Sequence, residues 1–210
     1  MPRFPRLKVV DGIHHVTLRG NDRQPIFLDD MDYRRYLEEL DQCGRDWSCN
    51  LIAYALMPNH VHLVMQDRQA QLSKLMQILN ARYTRYFNRR YQRVGHLYQG
   101  RFHAKLVARD EYLLEVTRYV HLNPVRAGLV KRPEEYPWSS YRLYTSIQEH
   151  GIPAVCSDLV LSLMGGDPIE QALRYRDFVA SLPPEQWPSW EQRLQRLKLV
   201  SDTFPASKGV

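Results

Sequence analysis

The sequence predicts an α+β fold: a small antiparallel sheet with helices in a ferredoxin-like or RRM-like arrangement, followed by a helical appendage. Three observations predict it: short alternating segments rich in β formers, longer segments with apolar residues every three or four positions, and their order of strand, helix, strand, strand, helix, strand, helix. Residues 14–19 alternate and stop at Gly20-Asn21-Asp22, which makes a first strand. Asp30 caps a helix that runs to about Cys43, with Tyr33, Tyr36, Leu37 and Leu40 at helical spacing. Residues 50–56 and 60–65 are two strands of a hairpin. The break at Met57-Pro58-Asn59 suits a tight turn, because proline cannot donate to a sheet ladder. Residues 69–91 form a long helix with an apolar stripe of Leu72, Leu75, Met76, Leu79 and Tyr83. Residues 101–107 are a fourth strand, and Asp110 is the N-cap of a helix carrying residues 111–122. The helices are expected on one side of the sheet.

The 210 residues suffice for one domain of about 150 residues and a smaller appendage. Composition changes near Pro133, which divides the chain into 1–132 and a helical extension with a basic tail, 133–210, packed on the first part. In that extension two helical pieces flank Gly165-Gly166-Asp167-Pro168. A packing hairpin is favoured there over a helix-turn-helix reader, because the spacing is common. A basic helix with Arg193, Arg196 and Lys198 follows. Three cysteines are odd in number and lack metal spacing, which favours a reducing cytosol over a disulfide framework. The N-terminal residues 1–6 are basic but lead into no signal-peptide core, and no stretch approaches a membrane span.

The net charge of +6 suggests a polyanionic partner. From Arg82 to Lys105 stand seven basic residues (Arg82, Arg85, Arg89, Arg90, Arg93, Arg101, Lys105), six aromatics including Tyr98, and no acid. Cations neutralise phosphates and aromatic faces stack on unpaired bases, so this window favours single-stranded nucleic acid. The competing reading is a solvated cationic face over core aromatics.

His60-Val61-His62 places two imidazoles on one face of a strand, where they can grip one metal ion or form an ordinary satisfied pair. Downstream, Tyr119 and Asn123 stand one turn apart on a helix flank, off the face of Leu113, Val116 and Val120. A phenol with a reference pKa of about 10 needs a cation, a base or a metal-activated target to attack phosphorus. Two imidazoles, an amide oxygen and a phosphate suit Mg²⁺ or Mn²⁺ with open positions better than a closed zinc site. Asn123 is also readable as the N-cap of a helix starting at Pro124, with the ligand role favoured.

His60-Val61-His62 resembles the motif of single-tyrosine HUH endonucleases (histidine, hydrophobic residue, histidine). Gly20-Asn21, Met57-Pro58-Asn59-His60-Val61-His62, Tyr98-Gln99-Gly100-Arg101-Phe102, residues 118–128 and Trp138-Ser139-Ser140-Tyr141 are similar, in order, to signature blocks of REP-associated tyrosine transposases. The resemblance implies an HUH arrangement of the fold and a metal-dependent transesterase that cleaves and rejoins single-stranded DNA at palindromic hairpins. It makes Tyr119 the nucleophile that forms a 5′-phosphotyrosine, His60 and His62 the ligands of Mg²⁺ or Mn²⁺, and Asn123 the third ligand. Related insertion-sequence transposases carry glutamine at that last position. Arg126 lies beside the cluster as a phosphate clamp or a solvated cation. Arg82, Arg85, Arg89, Arg93, Tyr98, Arg101, Lys105 and Arg126 are the expected DNA contacts. The resemblance further implies a bacterial, cytoplasmic, nucleoid-associated protein working as a monomer. The alternative function is a non-catalytic binder of hairpin DNA or RNA on the same fold.

Overall fold

The computed structural model describes residues 8–107, 110–145, 153–187, 192 and 200–201. Residues 1–7 and the basic tail expected around Arg193, Arg196 and Lys198 lie outside the described residues. Four antiparallel strands, β1 (Gly12–Arg19), β2 (Cys49–Met57), β3 (His60–Asp67) and β4 (His103–Val107), stand in the order β2-β3-β1-β4. A two-residue strand, β5 (Val200–Ser201), adds to β4. The helices are α1 (Asp30–Asp46), α2 (Leu72–Arg90), α3 (Asp110–Arg126), α4 (Tyr141–Thr145), α5 (Asp158–Leu161) and α6 (Pro168–Ala180). The strand order and the succession β1, α1, β2, β3, α2, β4 are the ferredoxin-like arrangement the sequence predicts.

Helices cover both faces of the sheet, not one as expected. Val16 and Leu18 of β1 join Leu37 and Leu40 of α1 and Leu75, Leu79 and Tyr83 of α2 in a first core. On the opposite face Leu113, Val116 and Val120 of α3 pack with Ile52, Ala55 and Val64 in a second core. The cause lies in β2, where residues 51–57 are all buried. A strand apolar on both sides needs cover on both.

Local chemistry sets the element ends. The N-cap of α1 is Asp29, one residue before the expected Asp30, and its carboxylate accepts from the backbone N–H groups of Met31 and Asp32. The β2–β3 turn has only Pro58 and Asn59 between the paired residues Met57 and His60. Outside bonds hold it: Gly20 N donates to Asn59 O at 2.8 Å and Ile26 N to Pro58 O at 2.8 Å. A Cβ on Gly20 would collide with the carbonyl of Gln24, so the tight approach requires glycine there. Helix α3 continues through Pro124 to Arg126, and Asn123 is therefore inside a helix and does not cap a new one.

Beyond Pro133 the chain returns to the same body. Trp138 O accepts from Leu56 N at 2.8 Å and Ser140 N donates to Tyr54 O at 3.0 Å, which closes the outer edge of β2. Gly165 and Gly166, both at positive φ, turn the chain into α6, whose Asp167 and Glu170 form a capping box. Its inner residues Ala172, Tyr175 and Val179 are buried, as a packing hairpin requires. The three cysteines are free thiols. Among the described residues no helix is long and apolar enough to cross a membrane.

One buried polar cluster ties these layers together. His121 on α3 is fully buried, with Nδ1 2.7 Å from Tyr175 Oη and Nε2 2.8 Å from Ser140 Oγ. Burial drives its pKa down to about 3, so the ring is neutral in the fold. Replacing it by leucine takes a partner from both buried hydroxyls, of which Ser140 Oγ keeps Tyr54, and should cost about 2 kcal/mol in urea unfolding. Because the unfolded imidazole titrates near 6.5, the native protein should lose stability as pH falls from 6.5 towards 3. The group's own contribution to that slope is at most about 1.4 kcal/mol per unit. His121→Leu should show a shallower pH profile; parallel profiles would remove histidine burial as the cause.

Candidate active site

Residues 60 and 62 share a strand face by the two-residue pleat, and in β3 that face is the one covered by α3. His62 is buried and His60 half-buried. The Nδ1 of His60 lies 2.6 Å from Asn59 Oδ1, and since an amide oxygen only accepts, Nδ1 carries the hydrogen and Nε2 the lone pair. β1 runs beside β3 with Thr17 opposite His62. Two residues before Thr17, His15 stacks on His62, ring centroids 5.3 Å apart and nearly parallel, with His15 Nε2 and His62 Nδ1 at 3.1 Å. The sequence alone did not single out His15. Alternation with Val16 and Leu18 puts it on the opposite face from them, but its place beside His62 depends on register.

Tyr119 projects from α3 onto this group. Its ring meets His62 at 5.6 Å and His15 at 5.8 Å, edge to face in both cases. Arg126, about two turns further along the helix, sets its guanidinium carbon 4.9 Å from the Tyr119 ring centroid and 6.0 Å from that of Trp187. Asn123 is buried and its Nδ2 donates to Tyr119 O at 2.8 Å. That bond reinforces the helix just before Pro124, which has no N–H to give.

The histidines are held as neutral imidazoles. Burial, then the nearby Arg19, takes His60 down to about 4, and burial, then Lys105, takes His15 to about 4. His62 lies well below the ordinary imidazole value, first through burial and then through His15, His60, Arg126 and Arg19. Among the described residues no three His, Cys, Asp or Glu side chains are grouped to hold a metal. A metal here would therefore rest on two imidazoles completed by oxygen ligands, with Asn123 as an amide candidate, and not on a closed four-residue cage.

A family model for IS200-like transposases matches residues 8–123, from just before β1 to Asn123. The chain belongs to the IS200-like transposase family. It is 26% identical over 152 residues to a protein of Haemophilus influenzae named as a REP-associated tyrosine transposase, covering 67% of this chain and 86% of the relative. Its fold is similar to that of a solved REP-associated tyrosine transposase bound to a REP hairpin: TM-score 0.59, 16% identity, covering 75% of this chain and 96% of the other. Both comparisons return the family that the sequence motifs resemble.

In this transposase the expected nucleic-acid contacts fall into two groups. Lys105 stands opposite His15 on β4, and Arg126 touches Tyr119, so both border the histidine cluster. Arg19, exposed and opposite His60, is a third cation there, one that the sequence motifs did not point to. Arg82, Arg85, Arg89 and Arg93 belong to α2 and its C-terminal continuation, beyond the other face of the sheet. Arg85 and Arg89 are exposed, whereas Arg82 faces Glu39 at 3.5 Å and Arg93 bonds Gln24 at 3.3 Å. The aromatics of the window are not open stacking faces: Tyr83, Phe87 and Phe102 are core residues, and Tyr98 packs against that core with its hydroxyl buried. Arg101 is exposed beside Phe102.

Neutral, partly or fully buried imidazoles give a pH signature. An imidazole protonates below its pKa and loses the lone pair a cation needs. Mn²⁺ binding followed by calorimetry should hold its affinity from pH 8 to about 5.5 and fall as pH approaches 4. A loss centred on 6.5 would show that these rings titrate as exposed histidines.

Proposed function

We propose that this transposase is a single-stranded DNA transesterase that cleaves and rejoins DNA at palindromic, REP-like hairpins through a 5′-phosphotyrosine on Tyr119. The observation that carries the proposal is the placement of Tyr119 edge-on to His15 and His62 under the guanidinium of Arg126. Among the described residues, it is the tyrosine whose ring meets a histidine of the HUH motif, His62. The hairpin as partner is supported by the similar solved transposase, which is bound to a REP hairpin.

In the reaction Tyr119 Oη attacks the scissile phosphorus, an O–P bond forms, the bond from phosphorus to the 3′ oxygen breaks, and the departing oxygen takes a proton as a 3′-hydroxyl. Arg126, its guanidinium over the Tyr119 ring, is placed to clamp an oxygen of the scissile phosphate. Lys105 and Arg19 line the same face and hold the phosphate backbone. His15 fixes the ring orientation of His62, and Asn59 that of His60. A divalent cation, Mg²⁺ or Mn²⁺, on His60 and His62 with Asn123 as third ligand would neutralise charge on the non-bridging phosphate oxygens. The phosphotyrosine is itself a phosphodiester, so a second 3′-hydroxyl can reverse the step without ATP.

Incubation of the protein with labelled hairpin DNA and Mn²⁺ should give a protein-linked fragment on a denaturing gel. Tyr119→Phe should bind the hairpin with unchanged affinity and give no adduct, and His60→Ala/His62→Ala should cut the yield by about 100-fold or more. An undiminished adduct from Tyr119→Phe would move the nucleophile elsewhere, to Tyr112 first. Hairpin binding without an adduct from the native protein would leave the non-catalytic binder.

A further inference from the structure

Tyr119 and Arg126 both lie on α3, and the end of α6 with the segment after it is fastened to that helix at two points. One residue before Tyr119, Arg118 sets its guanidinium carbon 4.1 Å from the Phe178 ring centroid and donates from Nη1 to Phe178 O at 3.1 Å. About two turns further along α3, the guanidinium carbon of Arg126 lies 6.0 Å from the ring centroid of Trp187. The indole is itself held: Nε1 donates to the carbonyl of the buried Leu182 at 3.3 Å, and the half-buried ring packs against the α3 core.

Arg126 thus has two aromatic rings within cation–π reach, Tyr119 at 4.9 Å and Trp187 at the outer limit of 6.0 Å. A guanidinium held by ring faces spends no N–H on them, so its in-plane donors can serve a phosphate. Arginine has a long side chain with several rotatable bonds, and fixing it costs conformational entropy. Where the fold fixes it beforehand, that cost does not fall on the chemical step.

We propose that Trp187 is a positioning residue for strand cleavage: its ring holds the Arg126 guanidinium beside Tyr119, preset for an oxygen of the scissile phosphate. The inference rests on the transesterase reading above. It brings into the site a residue of the C-terminal segment, well beyond the family match over residues 8–123.

The test is a double-mutant cycle on the full chain, read as the single-turnover rate of adduct formation with labelled hairpin DNA and Mn²⁺, with hairpin affinity measured alongside by fluorescence anisotropy. Trp187→Ala should slow adduct formation about tenfold and leave hairpin affinity within about twofold of native. Trp187→Leu fills the same apolar contact without a ring and should be as slow, whereas Trp187→Phe should recover most of the rate. Arg126→Ala should be slow as well, and adding Trp187→Ala to it should slow the reaction no further, because the indole acts through the guanidinium. Losses that multiply in the double variant, a Trp187→Leu variant as fast as the native protein, or an unchanged or raised rate in Trp187→Ala each overturn the positioning role alone. A native protein that binds the hairpin and forms no adduct overturns the transesterase reading and this inference with it.

Discussion

The rotation of α3 about its own axis is the constraint on which the site depends. Successive helical residues are about 100° apart, so Tyr119 and His121 point to nearly opposite sides. His121 is locked between Ser140 Oγ and Tyr175 Oη, with Ser140 in turn accepting from Tyr54 N at 2.9 Å on β2. Val116 and Val120 seat the helix on the sheet. With that side fixed, Tyr119 can face only the polar end of β1 and β3. The segment after Pro133, far from an inert extension, supplies both hydroxyls of the lock and the Trp187 ring beside Arg126.

The same arrangement explains how a cluster of histidines survives beside the α3 core. Each ring has a partner that fixes it: Asn59 for His60, His15 for His62. Burial and the surrounding cations keep the imidazoles uncharged, so the positive potential at the site comes from Arg19, Lys105 and Arg126. Neutral imidazoles beside permanent cations suit a partner that brings its own negative charge.

Much of this was legible in the sequence, because period-two and period-3.6 patterns set faces directly. The hairpin at Pro58-Asn59, the shared face of His60 and His62, and Tyr119 one turn from Asn123 all follow from spacing. His15 did not, because pairing of β1 with β3 is a matter of register between strands far apart in the chain. The acid-free window from Arg82 to Lys105 concealed its ion pairs for a related reason. Its acids come from α1 and its N-cap: Glu39 meets Arg82, and Asp29 and Asp32 bind Arg90, with Tyr86 and Tyr91 hydrogen-bonded to Asp32. The aromatics that interleave the cations in sequence, Tyr83 and Phe87, continue the stripe of Leu72, Leu75 and Leu79 into the core. Pro124 suggested a new helix at Asn123, whereas the side-chain bond from Asn123 to the Tyr119 carbonyl carries the helix past it.

The central claim is that the geometry of α3 makes Tyr119 the residue that becomes covalently joined to the 5′ end of cut DNA. Mass spectrometry of the native protein after reaction with hairpin DNA and Mn²⁺, followed by nuclease trimming and proteolysis, reads this directly. The account predicts a nucleotide mass on the α3 peptide, localised by fragmentation to Tyr119. The same mass on a peptide from another tyrosine or on a serine would contradict it.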